Sequence, residues 1–314
     1  MEESFYQTKK LPKDLHKTLM QRSNNPAWAH FLIMYILFFG TSVWVVISWN
    51  QHFLQILFSQ ICFGLLCCSI FASIHETVHN TAFKSRFMNQ FGARLGGLSH
   101  LYPATAFQEL HFTHHRHTHV PGLDPEISFG NKPLPSVVTS LPSYLGWISG
   151  FPMLLFKIFM LFIGAFGMPE FFRKNFFPFI RAGVRGKLAA ECIFIVLVHS
   201  ALVLLAIFVN SGFWGLFTGQ VVGHCMLAAY LVPEHNGLTH EGNNILDKTR
   251  SMHTNKLVKL WMWNMPYHAE HHAYPAIPFH ALPQLHELIK DELLHKEEGY
   301  PDFHLKVLKG NFKA

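Results

Sequence analysis

The chain predicts an all-α integral membrane protein: four transmembrane helices, paired as two hairpins, beneath a cytoplasmic helical cap. Three observations carry that prediction. Half of the 314 residues are hydrophobic and only 14% are charged, which excludes an ordinary soluble domain. Residues 23–75 contain no Asp, Glu, Lys or Arg, and residues 192–233 form a second charge-free stretch. Each stretch is long enough for two crossings, because a helix needs roughly 20 apolar residues to span about 30 Å of hydrocarbon. Histidines cluster at or just beyond the ends of apolar runs, as HETVH at 75–79, HFTHH at 111–115 and HAEHH at 268–272.

Taken in order, residues 1–26 form a basic arm with Lys9, Lys10, Lys13, Lys17 and Arg22. The arm is too long and too charged for a signal peptide, and no small-residue cleavage site follows the apolar run. Hairpin one occupies 27–74, with spans near 27–49 and 53–74 separated by Asn50-Gln51-His52. A cytoplasmic middle, 75–189, carries the first two histidine clusters. Positive charge gathers there at Lys84, Arg86, Arg94 and Arg116, and again at Arg173, Lys174, Arg181, Arg185 and Lys187. By the positive-inside rule these segments share the cytoplasmic side with the N-terminus. Hairpin two occupies 190–233, with spans near 190–210 and 213–233 separated by Asn210-Ser211-Gly212. The tail, 234–314, returns the third cluster and the C-terminus to the cytoplasmic side. In it Leu282, Leu285, Leu288, Ile289 and Leu293 make an amphipathic surface helix opened by Pro283.

Residues 133–169 are apolar enough to suggest a fifth span, but five prolines (133, 135, 142, 152 and 169) and Lys157 interrupt them. One more crossing would also put HAEHH on the opposite side from the other clusters. The segment is therefore expected to form interfacial or re-entrant helices. The whole chain, 1–314, reads as one membrane domain without tandem repeats. Its five cysteines are packing residues, and its net charge of +6 is spread over loops at lipid headgroups, with no nucleic-acid partner expected. A bacterial inner membrane and an endoplasmic reticulum fit equally.

Imidazoles at helix-turn spacing are what a protein needs to hold a transition metal. His75 and His79 stack four apart; His111 and His114, with His115 adjacent, repeat the pattern, as do His268, His271 and His272. Eight imidazoles exceed the roughly four to six ligands of one ion and suit two, so the cap is expected to hold a di-metal site. His235, just past the last span, is the natural ninth ligand. His117, His119 and His240 stand as further ligands or outer partners, and His100, His199 and His224 as neutral structural imidazoles, with His224, eleven residues before His235, also a candidate to line a substrate tunnel. Glu109, Asp124, Glu126, Glu234, Glu270 and Asn264 are candidates to receive the second N–H of a ligating histidine.

HETVH is also H-E-x-x-H, the zinc-protease pattern with Glu76 as general base. That reading leaves HFTHH, HAEHH and His235 unexplained. A metal transporter would place ligands midway across the bilayer rather than at its edge. A histidine-rich pair of ions at a membrane surface suits iron, which changes oxidation state and activates O2 as zinc does not.

HETVH, HFTHH and HAEHH, with Asn264-Met265-Pro266-Tyr267 before the third cluster and Ala273-Tyr274-Pro275 after it, resemble the membrane fatty acid desaturase superfamily. The likeness runs from hairpin one to the tail helix and is nearest to acyl-lipid desaturases of the bacterial kind. It implies a mushroom-shaped helical protein, four spans and a cytoplasmic di-iron cap. It implies two iron ions held by His75, His79, His111, His114, His115, His268, His271 and His272, with His235 as the further family ligand. It also implies O2-dependent oxidation of a long-chain acyl lipid, by desaturation or, in hydroxylases and carotenoid ketolases, by oxygen insertion. No residue apart from the metal ligands is assigned as catalytic. The chain has neither an HPGG-type haem motif nor a G-x-G-x-x-G fingerprint, so electrons are expected from a separate ferredoxin or small cytochrome.

Overall fold

A computed structural model describes residues 10–310; Lys9 and the start of the basic arm, and residues 311–314, lie outside the described residues. Helix α1 (Lys13–Leu19) leads into α2 (Asn24–Ser48), which turns into α3 (Phe53–Val78). Then come α4 (Arg86–Ser99), α5 (Ala104–His117), α6 (Leu141–Ile148), α7 (Phe151–Ala165) and α8 (Glu170–Phe176). The second hairpin is α9 (Arg185–Phe208) with α10 (Trp214–His235). The tail holds α11 (Lys256–Trp261), α12 (His268–Ala273), α13 (Leu282–Ile289) and α14 (Tyr300–Leu308). Extended backbone among the described residues is limited to two-residue ladders, Ser128–Phe129 with Lys132–Pro133 and Ser251–Met252 with Lys296–Glu297.

The all-α architecture is as expected, and the helices centred on α2, α3, α9 and α10 are long and apolar enough to cross a membrane. At 1.5 Å per residue they reach roughly 33–39 Å, more than the hydrocarbon thickness. Their outer faces carry exposed Leu32, Ile36 and Phe39 on α2 and Phe194, Leu197 and Leu204 on α9. Such continuous apolar surface is stable against acyl chains and costly against water.

Inside the bundle, α3 and α10 meet along a seam of small residues. A Cβ on Gly219 would stand 2.3 Å from the Phe63 ring, and one on Gly223 would stand 2.5 Å from Cβ of Cys67. Between helices in lipid, close packing replaces the hydrophobic drive, so glycine at these contacts sets the approach. Gly223→Val is expected to cost about 1–3 kcal/mol through overpacking. The measurement is thermal inactivation of the detergent-purified protein; an unchanged midpoint would show that the seam tolerates bulk.

The segment expected to be interfacial or re-entrant folds as α6 and α7, bent by 53°. Tyr144 of α6 packs with Val232, near the C-terminal end of α10. At the bend, Gly150 has φ +72°, and a Cβ there would lie 2.5 Å from the backbone N of Cys225, halfway down α10. Gly164, near the end of α7, abuts Cys192 and Leu188 in the first turns of α9. The start of α9 and the end of α10 lie at the same end of their hairpin. Both ends of the bent pair thus lie towards the same end of the α9–α10 hairpin, and the four long apolar helices are the candidate crossings.

Several helix ends depart from the expected spans, α9 beginning at Arg185 rather than 190, and two of the departures matter for the site. Spans expected to end at 74 and 233 continue as helix to Val78 and His235. The apolar pattern marks where hydrocarbon ends, whereas the helix continues to carry its histidines beyond it. Asn80, with φ 60°, then stops α3 directly after His79, a conformation asparagine tolerates better than most residues. In the tail, α13 opens with Pro283 in its first turn and buries Leu282, Leu285 and Ile289, while Leu288 faces outward.

Candidate metal centre

Four helix segments bring the nine predicted histidines together. The end of α3 supplies His75 and His79, α5 supplies His111, His114 and His115, α10 ends on His235, and α12 supplies His268, His271 and His272. They divide into two groups. His75, His79, His111, His115 and His271 form one, and His114, His235 and His272 form the other. His268 joins the second through an Nε2–Nε2 contact of 2.8 Å with His235.

The division follows from helix geometry. Positions three and four along lie about 60° and 40° to opposite sides of the first residue, so those two stand about 100° apart and can face different ions. In α5, His111 and His115 therefore face the first group while His114 faces the second. In α12 the roles reverse: His268 and His272 face the second group and His271 the first. Each H-x-x-H-H cluster thus serves both groups.

The donor set fits metal ions. Nε2 of His111 lies 2.8 Å from Nε2 of His79 and 3.0 Å from that of His115, which is 3.2 Å from Nε2 of His271. In the second group Nε2 of His114 and His272 are 3.3 Å apart. Imidazole nitrogens about 2.1 Å from a shared ion, at right angles to one another, would be about 3.0 Å apart. Burial, reinforced by neighbouring imidazoles, holds His111, His115, His271 and His272 well below the ordinary histidine range. Burial likewise lowers His79 and His268 to about 3. Neutral imidazole is the form that ligates.

Outer partners fix several rings. Nδ1 of His114 donates to Asp124, 2.9 Å away, and Asp124 itself accepts the backbone N–H groups of His119 and Glu126. Burial pulls His114 down, but the carboxylates of Asp124 and Glu126 more than offset it and raise it to about 9. Nδ1 of His235 donates to the carbonyl of Lys248 at 2.8 Å. The same loop is locked to α10 by Arg250, whose guanidinium bonds the carbonyls of Pro233 and Asn236. That contact satisfies a carbonyl at the helix end and was not foreseen from sequence, because no motif marks it.

Of the other candidates, Glu126 lies 3.7 Å from His114 and Glu234 lies 3.6 Å from His268. Glu109 instead pairs with Arg181 at 2.6 Å, Glu270 with Ser251 and His286, and Asn264 donates to the carbonyl of Phe279. His119 and His240 stack behind His235, with ring centroids 5.6 Å from His119 to His235 and 4.7 Å from His119 to His240. His117 belongs to neither group. His199 donates to the Ile195 carbonyl of its own helix, as a neutral structural imidazole would. Glu76 is fully buried, accepts the backbone N–H of Phe279 and belongs to neither histidine group.

Beside the histidines lies a cavity of about 540 Å³, within the range of sites that enclose small apolar ligands. His75, His111, His114, His235 and His268 form part of its wall. Phe71, Phe107, Met153, Phe156 and Phe159 line its body, and exposed Phe129, Leu134 and Leu155 stand at its rim.

Fold and site together define a helical membrane protein whose two imidazole groups border a lipid-sized apolar cavity. The family model described as Fatty acid desaturase matches residues 51–304, and the chain belongs to that family. It is accordingly a fatty-acid-desaturase-like membrane oxidoreductase. No curated protein matches the chain.

Proposed function

We propose that the protein desaturates a fatty acyl chain of a membrane lipid, using O2 and electrons from a separate carrier of the ferredoxin or small-cytochrome type. The observation that carries this is the shared wall: five of the nine histidines that could hold two ions, drawn from both groups, also line the apolar cavity. His75, His79, His111, His115 and His271 would hold one iron, and His114, His235, His268 and His272 the other. Bound iron would supply the redox chemistry by which O2, two electrons and two protons remove two hydrogens from the chain and leave as two waters.

The protein's own groups do the rest. The cavity's aromatic wall strips water from an alkyl chain and lays it against the histidines. Asp124 and the Lys248 carbonyl orient His114 and His235, which keeps the cage from relaxing between turnovers. We place the histidine cap and both termini on the cytoplasmic side, from the distribution of positive charge.

Expression in a host of simple lipid content, followed by lipid mass spectrometry, tests the reading. Loss of two hydrogens from one acyl species is expected. Gain of one oxygen would assign hydroxylation instead, and an unchanged lipid profile with an iron-loaded protein would overturn both. The protease reading predicts that Glu76→Gln abolishes activity, since that glutamate would be the general base. Here Glu76 bonds the Phe279 backbone, a contact glutamine's amide oxygen can keep. Glu76→Gln is therefore expected to retain lipid turnover within about tenfold, less than the 10²–10⁴-fold a general base contributes; loss to background would reinstate a role for that carboxylate.

A further inference from the structure

Lys157 stands in the wall of the apolar cavity, with only 1% of its surface exposed. Its ammonium nitrogen lies 3.1 Å from Nε2 of His224 and 3.4 Å from Nδ1 of His100. Both imidazoles have their other nitrogen committed. Nδ1 of His224 donates to the Gln220 carbonyl at 2.7 Å, and Nε2 of His100 donates to the Cys67 carbonyl. Each therefore turns a lone pair toward Lys157, which donates to both. The ring of Tyr102, another wall residue, sits 5.1 Å from the lysine nitrogen.

An ammonium has three N–H donors, and the histidines take two. Burial beside neutral acceptors disfavours the charged amine, and an anionic or strongly accepting oxygen entering the cavity would restore the ammonium and take its third N–H. The adjoining cavity offers room for it. Eleven residues of α10 separate His224 from His235, a rise of about 16 Å along the helix. An oxygen bound at Lys157 would thus be held far from the histidine cage, with alkyl chain between them.

We infer that Lys157 is a substrate-positioning residue: it receives the carboxyl or ester carbonyl oxygen of the acyl lipid and so fixes which carbons lie against the histidines. The inference rests on reading the cavity as the lipid site. His100 and His224 hold the amine in place, and the bend at Gly150, pressed against His224 and Cys225, seats α7 so that Lys157 reaches them.

Binding, rather than turnover, tests this on the full-length protein in nanodiscs. The probes are hexadecane, hexadecanoic acid and methyl hexadecanoate carrying a ¹³C carbonyl. The wild-type protein is expected to bind both oxygenated probes at least about tenfold more tightly than hexadecane, the scale of one charge-assisted hydrogen bond. The infrared carbonyl band of the ester should move to lower frequency on binding. Lys157→Met should erase the preference and the band shift while hexadecane binding stays within about twofold, and Lys157→Arg should restore both in part. Equal binding of the three probes by the wild type, or an undiminished preference in Lys157→Met, would overturn the inference. The wild-type comparison and the carbonyl band decide it even where a variant fails to fold. If none of the probes binds, the lipid reading of the cavity falls, and the role of Lys157 falls with it.

Discussion

Replacing His271 with alanine is expected to reduce lipid product to background and to lower bound iron, while the chain remains in the membrane. His271 is fully buried, and its ring centroid lies 4.5 Å from that of His75 and 4.7 Å from that of His79. Alanine removes a donor and opens a gap at the centre of the first group, with four imidazoles left to hold the ion. Loss of an outer partner alone typically costs about 10–100-fold in metal affinity or activity, and loss of a direct donor should exceed that. The four apolar helices do not depend on this side chain, so insertion should be unaffected. Iron per chain and lipid mass spectrometry read the two effects. His199→Ala, which removes a bond to the helix's own backbone and an edge contact with Phe217, should change neither. Retained turnover in His271→Ala would remove the third cluster from the site.

Asp124→Asn is expected to weaken metal binding by about 10–100-fold at high pH, and by much less at neutral pH. The sign follows from His114. Although burial opposes it, Asp124 and Glu126 raise its pKa to about 9 without metal. A histidine raised above its ordinary range stabilises the metal-free fold below the unfolded value, and that contribution is lost as pH rises through about 9. Metal must displace this proton, so wild-type affinity should climb from pH 7 to pH 9. Asparagine removes the charge that holds the proton and with it the competition, but it also makes His114 a weaker and less firmly oriented donor. The two proteins should therefore diverge as pH rises. Metal titration at pH 7 and pH 9 checks this; an equal gap at both would show that His114 does not carry the proton.

The nine histidines could be read from the sequence because their three- and four-residue spacing is itself a statement about helix faces. Spacing did not reveal how the faces are shared. That His111 and His115 turn one way and His268 and His272 the other became visible only once α5 and α12 were placed against each other. The outer carboxylates were legible as candidates and no further. Asp124 reaches His114, whereas Glu109 turns to Arg181 and Glu270 to His286, since charge at a position does not give its direction. Lys157 carried a partial signal. As a lone cation in an apolar run it argued against a fifth span, and it lies in α7, one arm of a helix pair bent by 53°. Its partners lie 57 and 67 residues away, beyond the reach of any local pattern.

The rim formed by Phe129, Leu134 and Leu155 has a kinetic consequence. On the proposed lipid reading, a mouth edged by apolar side chains would exchange its contents with the surrounding leaflet, so solubility in water would set no limit on what it admits. Saturation would then follow the mole fraction of substrate among neighbouring lipids rather than its bulk concentration. Diluting the same amount of substrate with inert phospholipid should slow turnover as surely as withholding it.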